Sequence, residues 1–344
     1  MTDPVLVTQT RAGYVERAHH GRVAIVGPDG DLTFALGDVA APMLPRSSCK
    51  ILQAIPMVES GAAATMGLTS RRLALSCASH QGSHSHASQA QEWLAEMGLS
   101  EADLECGPQP PNDETTFYDL RGRDEAPSQL HNNCSGKHTG FLCQARHLGA
   151  PTEGYIDLSH PVQQRVAEVT ADLADEDLSA HAIDGCSAPN FGVSLTGLAR
   201  AMSRIASAET SLKGARAEAA IALRQAKALH PFEVAGEGRA CTDLMRAGDG
   251  LVVKTGAEGA FTAILPDRGL GIALKINDGE TRAAEAAMAT ILVALGALDA
   301  NDPNVAKWMS FDQVNRRGIT CGETMAVDGL RKLTLIAYTE GLAV

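Results

Sequence analysis

Aromatic side chains are scarce in this 344-residue chain, where Phe, Trp and Tyr make up 4% of the residues. A surface that stacks nucleic-acid bases needs such rings, and it needs clustered Lys and Arg to meet phosphates. Here 29 Lys and Arg stand against 41 Asp and Glu, a formal net charge of −12. Both shortages argue against nucleic acid as a partner, and the acidity reads as solubility. Long apolar runs are missing too. No stretch reaches the roughly 18–20 uninterrupted apolar residues of a membrane span. Met1 to Val7 lacks the basic-then-apolar order of a secretory leader, so a cytoplasmic location is expected. The eight cysteines (49, 77, 106, 134, 143, 186, 241 and 321) are scattered through a chain too long to need disulfide staples. Thiols are expected, most of them small core residues.

Against these shortages stands Arg46-Ser47-Ser48-Cys49-Lys50 and the apolar-periodic run after it. Pro45 and the serines are helix-start signals, and Ser47 and Lys50 at i, i+3 share one helical face. In a Ser-x-x-Lys pair a neutral lysine can take the serine proton. Alone the pair is weak evidence. Lys254-Thr255-Gly256, between two strand-like runs, strengthens it, because a Ser-x-x-Lys helix followed by a Lys-Thr-Gly strand is the pattern of serine β-lactamases and penicillin-binding enzymes.

Val5 to Asp38 reads as a small antiparallel sheet, with His19-His20-Gly21 and Pro28-Asp29-Gly30 as its turns. Helical patterns follow at Ser70–Cys77, through Gln91 to Met97, from Phe141, at His160–Asp172, Ser194–Ser207, Gly214–Ala228 and Ala240–Ala247. Cys106 to Leu130, with four prolines, has no clear period and reads as a long loop. Strands are expected at Gly250–Thr255, Gly259–Leu265 and Leu270–Ile276, and a closing helix at Glu280–Leu298. Histidines 80, 84 and 86 invite a metal reading, although a polar loop before a helix N-cap explains them better. Cys134 and His138, four apart, have the spacing of two ligands on one helical face.

Five segments then occur in a telling order: Arg46-Ser47-Ser48-Cys49-Lys50, Ala78-Ser79-His80, Asn133-Cys134-Ser135-Gly136-Lys137-His138, Asp184-Gly185-Cys186-Ser187-Ala188-Pro189-Asn190-Phe191 and Lys254-Thr255-Gly256-Ala257-Glu258-Gly259. Together they resemble the rhizobial-type, or class 3, L-asparaginases, from about Gly13 to Glu323. The resemblance implies a serine-β-lactamase-like α/β fold of the α+β type, with an antiparallel sheet flanked by helices and a mostly helical second lobe. It implies one catalytic unit whose mixed lobe comes from about 1–65 and 240–323 and whose helical lobe spans about 66–239. It implies a homodimer that hydrolyses L-asparagine to L-aspartate and ammonia. Position by position, it implies two Ser–Lys pairs, Ser47 with Lys50 and Ser79 with Lys254. It implies zinc on Cys134, Lys137 and Cys186, with Arg46, Asp184, His138 and Asn133 binding substrate. The tail from Thr324 to Val344 matches no part of the family pattern.

The residue chemistry is compatible with this. A carboxamide needs a nucleophile, an oxyanion site and a proton for the departing ammonia. Ser47 would attack and Lys50 take its proton; backbone N–H groups at the helix start are natural oxyanion donors. Two thiolates suit zinc, whereas a lysine ligand must first be deprotonated, and spacing alone would choose His138 over Lys137. Three readings compete with it. One is another amidase of this fold, a glutaminase or β-lactamase-like hydrolase. Another is a zinc-water hydrolase, disfavoured by the lack of His-Glu-x-x-His or Pro-Cys-x-x-Cys. The last is a non-catalytic metal-binding scaffold.

Overall fold

The strand Tyr14–Val26 carries the sheet of the first of two units. Its N-terminal half pairs antiparallel with Val5–Arg11, and its C-terminal half with Leu270–Ile276 and Leu32–Leu36. The expected turn at His19-His20-Gly21 is therefore absent. His19 faces Val7, His20 faces Val5, and Gly21 faces Ile276 in continuous strand. Gly21 is small for a different reason than a turn: a Cβ there would lie 2.4 Å from the Lys275 carbonyl oxygen.

We analysed a computed structural model that describes residues 3–178 and 180–333. Its eight-stranded sheet runs Ser310–Val314, Thr320–Ala326, Val5–Arg11, Tyr14–Val26, Leu270–Ile276, Ala260–Leu265, Val252–Thr255, with Leu32–Leu36 as a branch on Tyr14–Val26. Among the described residues every pairing in it is antiparallel. Ala260–Leu265 is buried along its whole length, and Leu270–Ile276 nearly so, which means that both faces are covered. Helix Leu195–Ala206 lies on these central strands, with Ala199, Met202 and Ser203 against Gly271, and helix Thr281–Ala294 also packs on the sheet. The fold is thus mixed α/β around an antiparallel sheet.

The tail that matched no family pattern joins this sheet. Thr320–Ala326 pairs with Val5–Arg11 and is followed by the short helix Asp328–Arg331; residues 334–344 lie outside the described residues. The two strands at 310–326 were missed because alternation in Ser310–Val314 places only Phe311 and Gln313 inward, and neither strand carries a β-branched apolar run.

Described residues 3–48, 194–207 and 243–333 form the sheet unit, and 49–178, 180–193 and 208–242 form the helical unit. Helix Leu195–Ala206 goes with the sheet and helix Lys50–Glu59 with the helical unit, the opposite of the expected lobe limits. Lys50–Glu59 is the axle of the helical unit. It is buried from Lys50 to Met57 and touches helices Ser70–Ser76, Ser135–Leu148, Pro161–Ala174 and Gly214–Leu229. The stretch expected as a loop at 106–130 contains helix Glu114–Gly122, started by Asp113, whose carboxylate accepts from Thr116 N–H. Prolines flank that helix instead of breaking it.

Within the sheet unit, Gly256 fixes how the Lys254-Thr255-Gly256 strand meets the serine turn. A Cβ at Gly256 would stand 2.7 Å from the Pro45 carbonyl oxygen and 3.0 Å from the Ser48 nitrogen. Gly256→Ala is expected to cost about 2 kcal/mol, because both obstacles are backbone and cannot rotate away. A denaturant titration measures it, and an unchanged midpoint would show that the turn gives way freely.

Candidate active site

Two groups of predicted residues take shape, one in each unit. In the sheet unit, the 3-10 turn Arg46–Cys49 precedes the axle helix. Ser48 Oγ donates to Pro45 O at 2.6 Å, and the Thr262 hydroxyl lies 3.0 Å from Ser48 O and 3.4 Å from Lys254 O. Thr262 thereby joins the serine turn to the Lys254 strand, where it stands directly opposite Lys254. Lys254 is buried, and its Nζ donates to Thr255 O at 2.7 Å. Arg46 (φ +52°) and Glu258 (φ +59°) both occupy the left-handed region, and their side chains approach to 3.9 Å. Such backbone costs about 1 kcal/mol per residue and gathers where geometry serves a site. Sequence reasoning missed Thr262 and Glu258, since neither stands out from its strand or turn.

In the helical unit the core of the cluster is Lys50. Its Nζ, fully buried, lies 2.5 Å from Ala78 O, 2.8 Å from Ser79 Oγ and 3.0 Å from Cys134 Sγ. Three acceptors match the three donors of an ammonium. A neutral amine keeps two of those bonds and receives the third from a group that can carry a proton back, and of the three only Ser79 and Cys134 can. Lys50, expected beside Ser47, is thus hydrogen-bonded to Ser79. Lys254, expected beside Ser79, belongs to the sheet unit.

Behind Lys50 lie the predicted zinc residues. Helix Ser135–Leu148 starts at Cys134 and carries Lys137 and His138, all buried. Cys186 comes from the turn between strands Ala180–Ile183 and Pro189–Ser194, tightened by Ser187 at φ +69° and by Asp184 N–H donating to Ala188 O. Lys137 Nζ donates to Cys186 Sγ at 3.0 Å. The two thiols share a hydrogen bond that pushes Cys134 up and pulls Cys186 down; the Lys137 ammonium lowers Cys186 further. Burial opposes the charge on Lys137, but the two sulfurs outweigh it and hold the ammonium above its ordinary range. These shifts favour charge on Cys186 and on Lys137, which are hydrogen-bonded, and favour the neutral thiol of Cys134. Cys49 and Cys106 are buried thiols, each raised to about 12 by burial, and they are plain core residues.

His138 is held differently. Its Nδ1 lies 2.7 Å from the Tyr155 hydroxyl, which also accepts from Glu105 N–H. With the phenol proton on Nδ1, the ring proton sits on Nε2, and a hydrogen bond with the Cys186 sulfur favours the charged ring. Burial drops the ring to about 4 although the Cys186 sulfur works against it. In the unfolded chain the same ring titrates near 6.5. Lowering pH from 6.5 to 4 therefore protonates the unfolded state first, and the stability present above 6.5 is lost across that window. The loss is expected to be about 3 kcal/mol in chelator-treated protein. Urea midpoints at pH 7 and 4.5 measure it, and a His138→Gln variant should lose most of that dependence.

Among the described residues no group of three or more His, Cys, Asp and Glu side chains is arranged as a metal centre. The donors here are of another make-up: two sulfurs and the Lys137 amine. Sulfur with nitrogen suits zinc. Cys186 is ready as a thiolate, whereas Cys134 and Lys137 would each give up a proton on binding. Asp184 adds negative charge near Lys137, and Asn133 Oδ1, 2.9 Å from Cys134 Sγ, competes with Cys186 for the one thiol proton of Cys134.

A buried amine bonded to a serine, with a sulfur pulled toward the thiolate behind it, is equipment for nucleophilic attack on a carbonyl. The family model for L-asparaginase II matches residues 7–326, and the chain belongs to that family. No curated protein matches it in sequence. Among solved structures, native Mglu aligns at 13% identity over 77% of this chain and 62% of its own, with a TM-score of 0.42. A Mycobacterium bovis β-lactamase aligns at 10% identity over 77% of this chain and 89% of its own, TM-score 0.37. A Bacteroides dorei putative β-lactamase gives 12% identity, 74% and 84% coverage, and TM-score 0.39. The chain spans about three fifths of the Mglu length. No described helix is long and apolar enough to cross a membrane.

Proposed function

We propose that this protein is an amidohydrolase that converts L-asparagine to L-aspartate and ammonia through a serine ester. Family membership supports the reaction class. The observation that carries serine–amine chemistry, whichever serine attacks, is the buried amine–hydroxyl contact of Lys50 with Ser79 at 2.8 Å. In this reading a serine oxygen attacks the carboxamide carbon as its proton passes to a neutral lysine. The tetrahedral adduct collapses, the lysine returns the proton to nitrogen, and ammonia leaves an aspartyl ester that water hydrolyses. Ser47 is the nucleophile that the Ser-x-x-Lys pattern names, and Ser79, with Lys254 as a second amine, activates the water. A second reading, favoured by the Lys50–Ser79 bond, exchanges the two serines.

Arg46 would hold the α-carboxylate, Asp184 the α-ammonium, and Asn133 and His138 the remaining polar edges of the substrate. Zinc on Cys134, Lys137 and Cys186 would supply a fixed positive charge that orients substrate. A homodimer in the cytoplasm completes the reading.

Ammonia release from L-asparagine, with L-glutamine and a β-lactam beside it, tests this directly. Ser47→Ala is expected to fall at least 10³-fold, and mass spectrometry of the quenched enzyme should show an aspartyl adduct on the surviving nucleophile. Near-full activity in Ser47→Ala with an adduct on Ser79 selects the exchanged reading. Activity lost to chelation but kept in both serine variants selects a zinc-water hydrolase, and preference for glutamine or a β-lactam replaces asparagine as substrate.

A further inference from the structure

Immediately after Ser79 stands His80, fully buried and stacked face to face on His86, ring centroids 4.6 Å apart and planes 5° from parallel. His86 in turn stacks on Phe232 at 4.7 Å. The hydrogen bonds around the two rings determine where their protons are. Gly82 N–H points at His80 Nδ1 at 3.0 Å, and a backbone N–H only donates, so Nδ1 is bare. The proton of the neutral ring is then on Nε2, which donates to Ser135 Oγ at 3.0 Å. On His86, Nε2 faces the Phe232 carbonyl at 3.0 Å, and a carbonyl only accepts, so this nitrogen carries the proton. Its Nδ1 accepts from the Ser83 hydroxyl at 2.6 Å, whose oxygen takes the His86 N–H. Both rings are held in the Nε2–H form.

The stack joins three segments that converge on Ser79. Ser79 N–H donates to Val234 O, in the segment that carries Phe232. His80 N–H donates to Asn133 O, one residue before Cys134, and the His80 ring reaches Ser135, one residue after it. Ser135 is the first residue of the helix that carries Lys137 and His138. The Ser79 hydroxyl and Cys134 Sγ are both partners of Lys50 Nζ. Whatever fixes the Ser79 backbone to the Cys134 turn also fixes the shape of the pocket around that amine.

We propose that His80 is a positioning residue for this site: as the Nε2–H tautomer, clamped on His86 and bonded between Gly82 and Ser135, it sets the placement of the Ser79 hydroxyl on Lys50. The proposal rests on the reading that Lys50 and Ser79 take part in amide hydrolysis. The bonds of His80 to Gly82, Ser135 and Asn133 tie the residue after Ser79 to the Cys134 turn, so it acts through the geometry of its neighbours.

The test is a double-mutant cycle on kcat and KM with L-asparagine. His80→Phe keeps a flat ring for the stack and removes both ring hydrogen bonds; Ser135→Ala removes only the acceptor and trims a single oxygen, so the fold should tolerate it. Each is expected to lower kcat on the order of 10-fold to 100-fold with KM within about twofold, the scale of a small misplacement of reacting groups. The double variant should be no worse than the poorer single one, because both variants break the same His80–Ser135 bond. His80→Gln, whose amide can still donate to Ser135, should recover part of kcat. A residue that only supported the fold would lower the melting temperature in each variant and leave kcat at 25 °C unchanged; that result overturns the proposal. So does full additivity. Two-bond 1H–15N spectra of the wild type read the tautomer without any turnover, and a proton on His80 Nδ1 would also overturn it. If wild-type protein releases no ammonia from asparagine or glutamine, the functional reading has failed, and the spectra show separately whether the clamp exists.

Discussion

Lys50→Met is expected to abolish ammonia release, with kcat/KM down by at least 10³-fold, while the protein remains folded. Methionine nearly matches the lysine stem in volume, and a buried thioether carries no charge that needs partners. The substitution does leave Ala78 O, Ser79 Oγ and Cys134 Sγ without their common donor. Unmet acceptors cost about 1–3 kcal/mol, whereas lifting a fully buried ammonium out of the interior returns part of that cost. The net change in stability should therefore be small against the change in rate. Removal of the group that receives and returns the reacting proton removes general base and general acid together, each worth about 10²–10⁴-fold. Lys50→Arg is no rescue, since guanidinium does not give up its proton. A Lys50→Met enzyme that kept more than a tenth of its activity would move the base elsewhere, and Lys254 is the residue to test next. Parallel variants at Lys254 then decide whether one amine or two serve the reaction.

What the sequence discloses about this site is residue type and order. The five segments that carry the resemblance come mostly to buried or half-buried positions, with Gly185, Ala257 and Glu258 exposed, and the spacing of Cys134, Lys137 and His138 is that of one helix turn. Periodicity locates most helices because their apolar stripes are buried against neighbours in the same unit. It fails at Tyr14–Val26, where Gly21 signals a turn but is small because the Lys275 carbonyl passes close by. It fails again at 310–326, where a sheet edge needs few apolar residues. The partners of each site residue were not legible either. Lys50 reaches a serine twenty-nine positions further along the chain, and no local pattern encodes that bond. Thr262, Tyr155 and Ser135 look like ordinary strand or helix residues until their hydroxyls are seen to point at Ser48, His138 and His80.

The Cys186–Lys137 pair makes a prediction on stability that separates structure from chemistry. Cys186→Ala removes the thiolate and leaves the Lys137 ammonium buried without its nearest counter-charge. Breaking a buried pair from one side costs about 3–5 kcal/mol. Here the lower end is expected, because Cys134 can ionise in place of Cys186: its thiol is held protonated chiefly by the Cys186 sulfur it bonds to. Cys134→Ala together with Cys186→Ala takes away that reserve, and the loss should reach the upper end of the range. Adding Lys137→Met to Cys186→Ala should recover most of the deficit, since the stranded charge is then gone. Denaturant unfolding with a chelator present gives these differences free of metal. Repeating it with added zinc gives a second reading, because a ligand held only by the folded state raises stability by RT ln(1 + [L]/Kd). Wild type should gain from zinc and each cysteine variant should not. If Cys186→Ala is as stable as wild type and Lys137→Met adds nothing, the ammonium is neither charged nor paired as described. If zinc stabilises wild type and Cys186→Ala equally, the metal is bound elsewhere, and substrate orientation must come from Arg46 and Asp184 alone.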